Sequence, residues 1–130
     1  MSVFFDTNIL VYAISSDPRR EVAQQALARG GTVSVQVLNE CANVLRRKLN
    51  QPWPWILDAI AALRAGIGDV RPLTVATHDA ALRIARDHAV SFYDALILAA
   101  AQEARCDTLF SEDLQHGWKL NGLTITNPFR

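Results

Sequence analysis

Four carboxylates stand in comparable places along this chain. Asp6 directly follows the apolar run VFF, Glu40 comes just past TVSVQV, Asp94 heads the apolar segment DALILAAA, and Asp113 follows TLF by a few residues. Gathered in one place, four like charges repel strongly, and they take up protons or loosen the surrounding structure unless a cation neutralises them. Oxygen-only donors select Mg2+ or Mn2+ over zinc. His78, His88 and His116 fall at no ligand-like spacing and read as surface residues, and Cys41 and Cys106 fit no metal or redox motif, so the acids alone carry candidate metal chemistry. Taken singly, most of them have a simpler role open. Asp6 can cap a helix beginning near Thr7, Asp94 stands three residues after Ser91 in an S-x-x-D capping pattern, and Asp113 can cap a short turn. Glu40 lies beyond any cap, beside Val44, with no Lys or Arg three or four residues away. Its plain alternative is a solvated helix face.

The elements needed to gather these acids are legible in the apolar pattern. Residues 3 to 6 suit a buried strand, and ILVYAI (9 to 14) continues at helical spacing. Asp17 followed by Pro18 signals a helix start, predicting a helix over 18 to 29 that ends at Gly30 and Gly31. A strand over 32 to 37 leads into a helix whose apolar positions Leu38, Cys41, Val44, Leu45 and Leu49 share one face. Helices are predicted over 55 to 66, 78 to 89 and 91 to 104, the last apolar nearly all round and therefore buried between layers. Strands are predicted over 70 to 73, at an edge because of Pro72, over 108 to 111 and over 123 to 127. Repeated strand–helix order predicts an α/β fold, a central parallel sheet of about four or five strands with helices on both faces. In such a sheet, strand C-termini and helix N-termini share the edge where sites form, and all four acids belong to that edge. Asp69 and Asp107 precede strands, Glu103 sits late in its helix, and Asp58 and Asp87 read as solvated. Glu112 adjoins Asp113 and competes with it for the same role.

At 130 residues, half of them apolar, the chain is expected to be one domain spanning 1 to 130. Thirteen basic and thirteen acidic residues give no net charge, which excludes holding nucleic acid by bulk electrostatics and leaves only local contacts. The start of the chain lacks the features of a signal peptide, no stretch is long enough to cross a bilayer, and two cysteines make no disulfide framework, so a cytoplasmic protein with buried thiols is expected.

With these residues in view, the chain resembles a PIN domain, specifically the VapC-type ribonuclease toxins of bacterial toxin-antitoxin systems. The similarity rests on FFDTNILVYA, LNECANVLRRK, SFYDALILAAAQEARCDTLFSEDLQHG and a closing strand with NPF, and it covers nearly the whole length. The resemblance places the family's acidic quartet on Asp6, Glu40, Asp94 and Asp113, the residues the sheet-edge argument selects independently. It places accessory hydroxyl and amide positions on Thr7, Asn8 and Ser111, and its SED spacing favours Asp113 over Glu112. It implies Mg2+- or Mn2+-dependent endonucleolytic cleavage of RNA, inhibition by a small antitoxin whose tail covers the active-site groove, and a homodimer.

For such a nuclease, attack by a metal-activated water predicts a 5′-phosphate and a 3′-hydroxyl, and no histidine pair suits metal-free cleavage through the ribose. Asp6 and Asp94 are the expected direct ligands, with Glu40 and Asp113 binding a second ion directly or through water. Arg46, Arg47 and Lys48 form the densest basic cluster, with Arg19 and Arg20 second. Arg47 lies two turns beyond Glu40, about 10 Å along the helix, within reach of a neighbouring phosphate. Favourable cations at a helix C-terminus explain the cluster equally well. Trp53 and Trp55 are expected in the core, an interface being the alternative. The rival from another class is a noncatalytic Mg2+-binding signalling or interaction module, which typically pairs adjacent acids after its first strand and keeps a lysine after its last. Neither occurs here. An Asp-x-Asp phosphatase is excluded by Asn8, and a dinucleotide fold by the lack of a glycine-rich first turn.

Overall fold

The three-residue strand Val3–Phe5 (β1) is wholly buried, and it sits at the centre of everything that follows. The computed structural model describes residues 1–130. The chain runs from β1 through helices α1 (Thr7–Ala13) and α2 (Arg20–Ala28) to β2 (Gly31–Ser34), then through α3 (Val35–Arg47) and α4 (Trp53–Ile67) to β3 (Gly68–Arg71). Helices α5 (Val75–His88) and α6 (Phe92–Glu103) lead back to β4 (Thr108–Phe110), followed by β5 (Lys119–Leu120) and β6 (Leu123–Thr126). The sheet order is β3-β2-β1-β4-β6-β5. All neighbours pair in parallel except β5, which runs antiparallel to β6.

The parallel sheet is the one anticipated, with six strands in place of four or five. The addition is a hairpin: Asn121 and Gly122 both take positive φ, joining Leu120 to Leu123 in a two-residue turn. Boundaries shift for local reasons. Ser34 accepts a bond from the Val37 N–H and starts α3 at Val35, so β2 stops three residues earlier than the alternating pattern suggested. Thr74 and Thr77 form a reciprocal capping box that starts α5 at Val75. β3 covers 68 to 71 and leaves Pro72 outside, as an edge strand allows. Asp69 therefore lies within β3 rather than before it, accepting a bond from the Thr32 hydroxyl.

Because β2 and β3 are laid down on one side of β1 and β4 on the other, right-handed crossovers send α5 and α6 to the sheet face opposite α1 to α4. Helix α6 is buried continuously from Ala95 to Ala101, as its all-round apolar sequence predicts. Phe4, Phe5, Leu109, Ile125 and Val33 from the strands meet Ile9, Leu10, Leu45, Ile97 and Leu98 from the helices in one core. Both cysteines are free and buried within it. No helix is long and apolar enough to cross a membrane.

Trp53 and Trp55 are not core residues. Helix α4 buries Ile56, Leu63 and Ile67, which leaves Trp53 54% exposed and Trp55 38% exposed at its first turn. Trp53 instead receives the Arg46 guanidinium over its ring at 5.1 Å.

Gly31 marks the tightest approach in the sheet. A Cβ there would stand 2.6 Å from the Phe5 ring and 2.6 Å from the Val3 carbonyl oxygen, both held in the central strand. Gly31→Ala is therefore expected to destabilise the protein by about 2 kcal/mol through overpacking. Urea unfolding checks this, and an unchanged midpoint would show that the centre of the sheet can give way.

Candidate active site

The strand order reverses at β1 and β4, and their C-terminal ends form the edge at which open α/β folds bind ligands. Phe5 is in register with Phe110, so the next residues, Asp6 and Ser111, emerge side by side. Asp6 is 3% exposed; its two carboxylate oxygens accept bonds from the Thr7 N–H at 2.6 Å and the Ser111 hydroxyl at 2.7 Å. The capping role is thus real: Asp6 is the N-cap of α1. Even so, burial pushes its pKa from 3.8 up to about 6, against the lowering effect of those two hydrogen bonds, and the charges of Asp113 and Asp94 add to the rise.

Glu40 projects from the middle of α3, half-buried, with the Gln36 amide donating to it from one turn back at 3.2 Å. Burial raises its pKa to about 7, and the charges of Asp6, Asp94 and Asp113 push the same way. Each of the other three acids therefore lies within electrostatic reach of Glu40. Asp94 occupies the first turn of α6; its backbone N–H donates to Ser91, but the reciprocal half of the capping box is missing. Asp113 accepts a bond from the Asn8 amide at 2.9 Å. Its pKa is raised by partial burial and by the charges of Asp94 and Glu112, with Asn8 and Lys48 opposing.

All four acids selected from the sequence meet at one sheet edge, with Thr7, Asn8 and Ser111 among them. No three of them converge tightly enough in this structure to ligate a single ion. The donor chemistry nevertheless fits a hard divalent cation: oxygen donors only, with three acids whose negative form is disfavoured as they stand. Thr7 Oγ1 adds to that fit, being the one buried side-chain polar atom left without a partner.

Glu112 is engaged elsewhere. Both its oxygens accept from Arg19 Nη1, at 2.8 and 2.9 Å, and one also accepts from the Tyr12 hydroxyl at 2.8 Å. Arg19 is correspondingly unavailable as a substrate contact, contrary to its place in the second basic cluster. Arg46 is occupied by Trp53 and by the Gln51 carbonyl, whereas Arg47 is exposed. Among the cations of that cluster, Lys48 is the one whose charge lowers Asp113. The sequence reading missed Tyr12 and Gln36. A signal existed for both, since each stands four residues from a selected residue, Asn8 and Glu40, on the same helix face.

The PIN domain family model matches residues 3–116. The chain belongs to the PIN domain family. Solved structures with this fold include VapC20 from Mycobacterium tuberculosis, described as a sarcin-ricin loop cleaving toxin, with a TM-score of 0.71 and 24% identity over 86% of this chain and 92% of that one. A toxin-antitoxin complex from Klebsiella pneumoniae matches with a TM-score of 0.70 and 20% identity over 98% of both chains. VapBC2 from Rickettsia felis, bound to a DNA fragment from its promoter, matches with a TM-score of 0.73 and 16% identity over 98% of both chains. Comparison with curated protein sequences returns no match. For this PIN domain, the sheet edge that carries Asp6 is the candidate active site.

Proposed function

We propose that this PIN domain is an endoribonuclease dependent on Mg2+ or Mn2+, the toxin of a toxin-antitoxin pair, acting in the cytoplasm. The observation that carries the reading is Asp6: a carboxylate at the switch point of the sheet, held by Ser111 and the Thr7 N–H, whose charge is destabilised first by burial and then by the neighbouring acids. A fold shared with toxins and toxin-antitoxin complexes supports an antitoxin as partner, and the homodimer belongs to the same proposal.

Asp6, Glu40, Asp94 and Asp113 would hold the ion or ions. When bound, the metal supplies Lewis-acid stabilisation of phosphate charge and a water of lowered pKa. Ser111 keeps Asp6 in one orientation, Asn8 does the same for Asp113, and Gln36 for Glu40. The Thr7 hydroxyl remains free to bond water or a phosphate oxygen. Lys48 and Arg47 offer positive charge to the flanking backbone, while Arg46 acts by shaping the α3–α4 turn.

The histidines support attack by water rather than by the ribose. His78 packs on Phe92, His88 on Trp118, and His116 Nδ1 accepts from the Asn127 N–H, so none pairs with another as acid and base. Purified protein with Mg2+ is expected to cut RNA to fragments bearing a 5′-phosphate and a 3′-hydroxyl, which RNA ligase can rejoin directly. Fragments ending in a 2′,3′-cyclic phosphate would rule out this mechanism.

A further inference from the structure

Glu112 and Asp113 are adjacent carboxylates beside the acidic cluster, and successive turns of α1 treat them differently. Asn8 and Tyr12, four residues apart on one face of that helix, donate to Asp113 and to Glu112 respectively. Arg19 completes the second contact. Its Nε and Nη2 grip both oxygens of Asp17 at 2.8 and 2.9 Å, while Nη1 spans both oxygens of Glu112. The guanidinium also lies over the Tyr12 ring, 4.0 Å from its centroid, and Phe129 closes the edge of that ring at 5.4 Å. One planar cation therefore joins the α1–α2 corner, the last turn of α1 and the segment after β4. A lysine could not make both forks.

We propose that Tyr12 and Arg19 are positioning residues for Asp113: by tying Glu112 to the α1–α2 corner, they fix the turn after β4 so that Asp113 is the acid presented to the metal. The same contacts withhold Glu112 from the ion and balance its charge. Phe129, from the closing NPF, braces the arrangement against the Tyr12 ring. The inference rests on the metal-dependent nuclease reading. Residues that orient a metal ligand from behind typically change metal affinity about 10- to 100-fold when removed.

The test is Mn2+ binding to the intact chain, followed by the electron paramagnetic resonance of free Mn2+, with melting in chelator and RNA-cleavage kinetics alongside. Arg19→Gln is expected to weaken Mn2+ binding about tenfold and lower kcat, with KM for RNA within about twofold of wild type. Its melting temperature in chelator should fall by only a few degrees, because the Arg19 network is partly exposed, with the variant still fully folded at the assay temperature. Arg19→Lys should recover part of the affinity. Tyr12→Phe keeps the ring and loses only the hydroxyl, so it should show a smaller shift and serves if Arg19→Gln fails to fold. Glu112→Gln should bind Mn2+ more tightly than Asp113→Asn. Wild-type Mn2+ affinity in both Arg19→Gln and Tyr12→Phe, a change in KM alone, or equal losses in Glu112→Gln and Asp113→Asn would overturn the proposal. These outcomes leave the nuclease reading intact, provided wild type binds Mn2+ and Asp6→Asn does not. Absence of Mn2+ binding by wild type would overturn both.

Discussion

Asp6→Asn is expected to abolish RNA cleavage, by at least about 10³-fold, while raising the melting temperature in chelator near pH 7.5. The two effects share one cause. Asp6 is ionised only above about pH 6 in the folded protein, against 3.8 when exposed, because burial opposes its charge. A folded-state pKa that lies higher contributes stability below pH 3.8, and that contribution is lost as pH rises through 6. At neutral pH the buried charge therefore weakens the metal-free fold by about 3 kcal/mol, at 1.36 kcal/mol per pKa unit. Asparagine removes that charge while its carbonyl still accepts from the Thr7 N–H. Its amide can donate to Ser111, whose hydroxyl both gives and receives hydrogen bonds. Thermal melts of both proteins in chelator should differ by several degrees near pH 7.5 and converge near pH 4. A lower melting temperature for Asp6→Asn at neutral pH would mean that the capping contact outweighs the burial of charge, and that Asp6 serves the fold first.

Stability given up at Asp6 explains why the site was more legible in the sequence than parts of the fold. A carboxylate set straight after VFF violates the local preference for apolar residues in a buried strand end, and such violations stand out against a regular pattern. Glu40 stood out similarly, as an acid without a cap to serve or a cation to pair with. The elements that eluded the sequence reading are those decided by one or two polar residues. β5 depends on the Asn121–Gly122 turn, a recognisable signal overlooked because two residues carry no periodicity. The start of α5 depends on Thr74 and Thr77, whose capping box lies upstream of any apolar face. Trp53 and Trp55 were misplaced because hydrophobicity indicates a preference for burial without saying which face of α4 meets the core. The Arg19 contacts were out of reach for another reason: Glu112 is 93 residues distant in sequence, and only the β1–β4 register brings it to the α1–α2 corner.

Removal of divalent metal is expected to stop cleavage entirely, and the ion's effect on stability should depend on pH with a definite sign. Asp6 and Glu40 take up protons below about 6 and 7 in the metal-free protein, and Asp113 is shifted the same way. Below those values an ion must displace protons to bind; above them it meets carboxylates that the fold holds charged at a loss. Mg2+ should therefore raise the melting temperature most near pH 8 and little near pH 5. At a free concentration 100 times its dissociation constant, binding adds about 2.7 kcal/mol, enough to move the melting temperature by roughly 10 °C in a chain of this size. Cleavage at limiting Mg2+ should rise between about pH 5 and 8, with a midpoint that moves to lower pH as Mg2+ increases, because metal and protons compete for the same oxygens. A midpoint independent of Mg2+ would assign the titration to a group outside the acidic cluster. Cleavage that survived excess chelator would remove the metal from the mechanism altogether. Glu40 is the residue on which this competition turns, since burial carries its pKa to about 7, above the value of about 6 for Asp6 and close to neutrality. Glu40→Gln should accordingly flatten the upper part of the pH profile while leaving the dependence set by Asp6 below it.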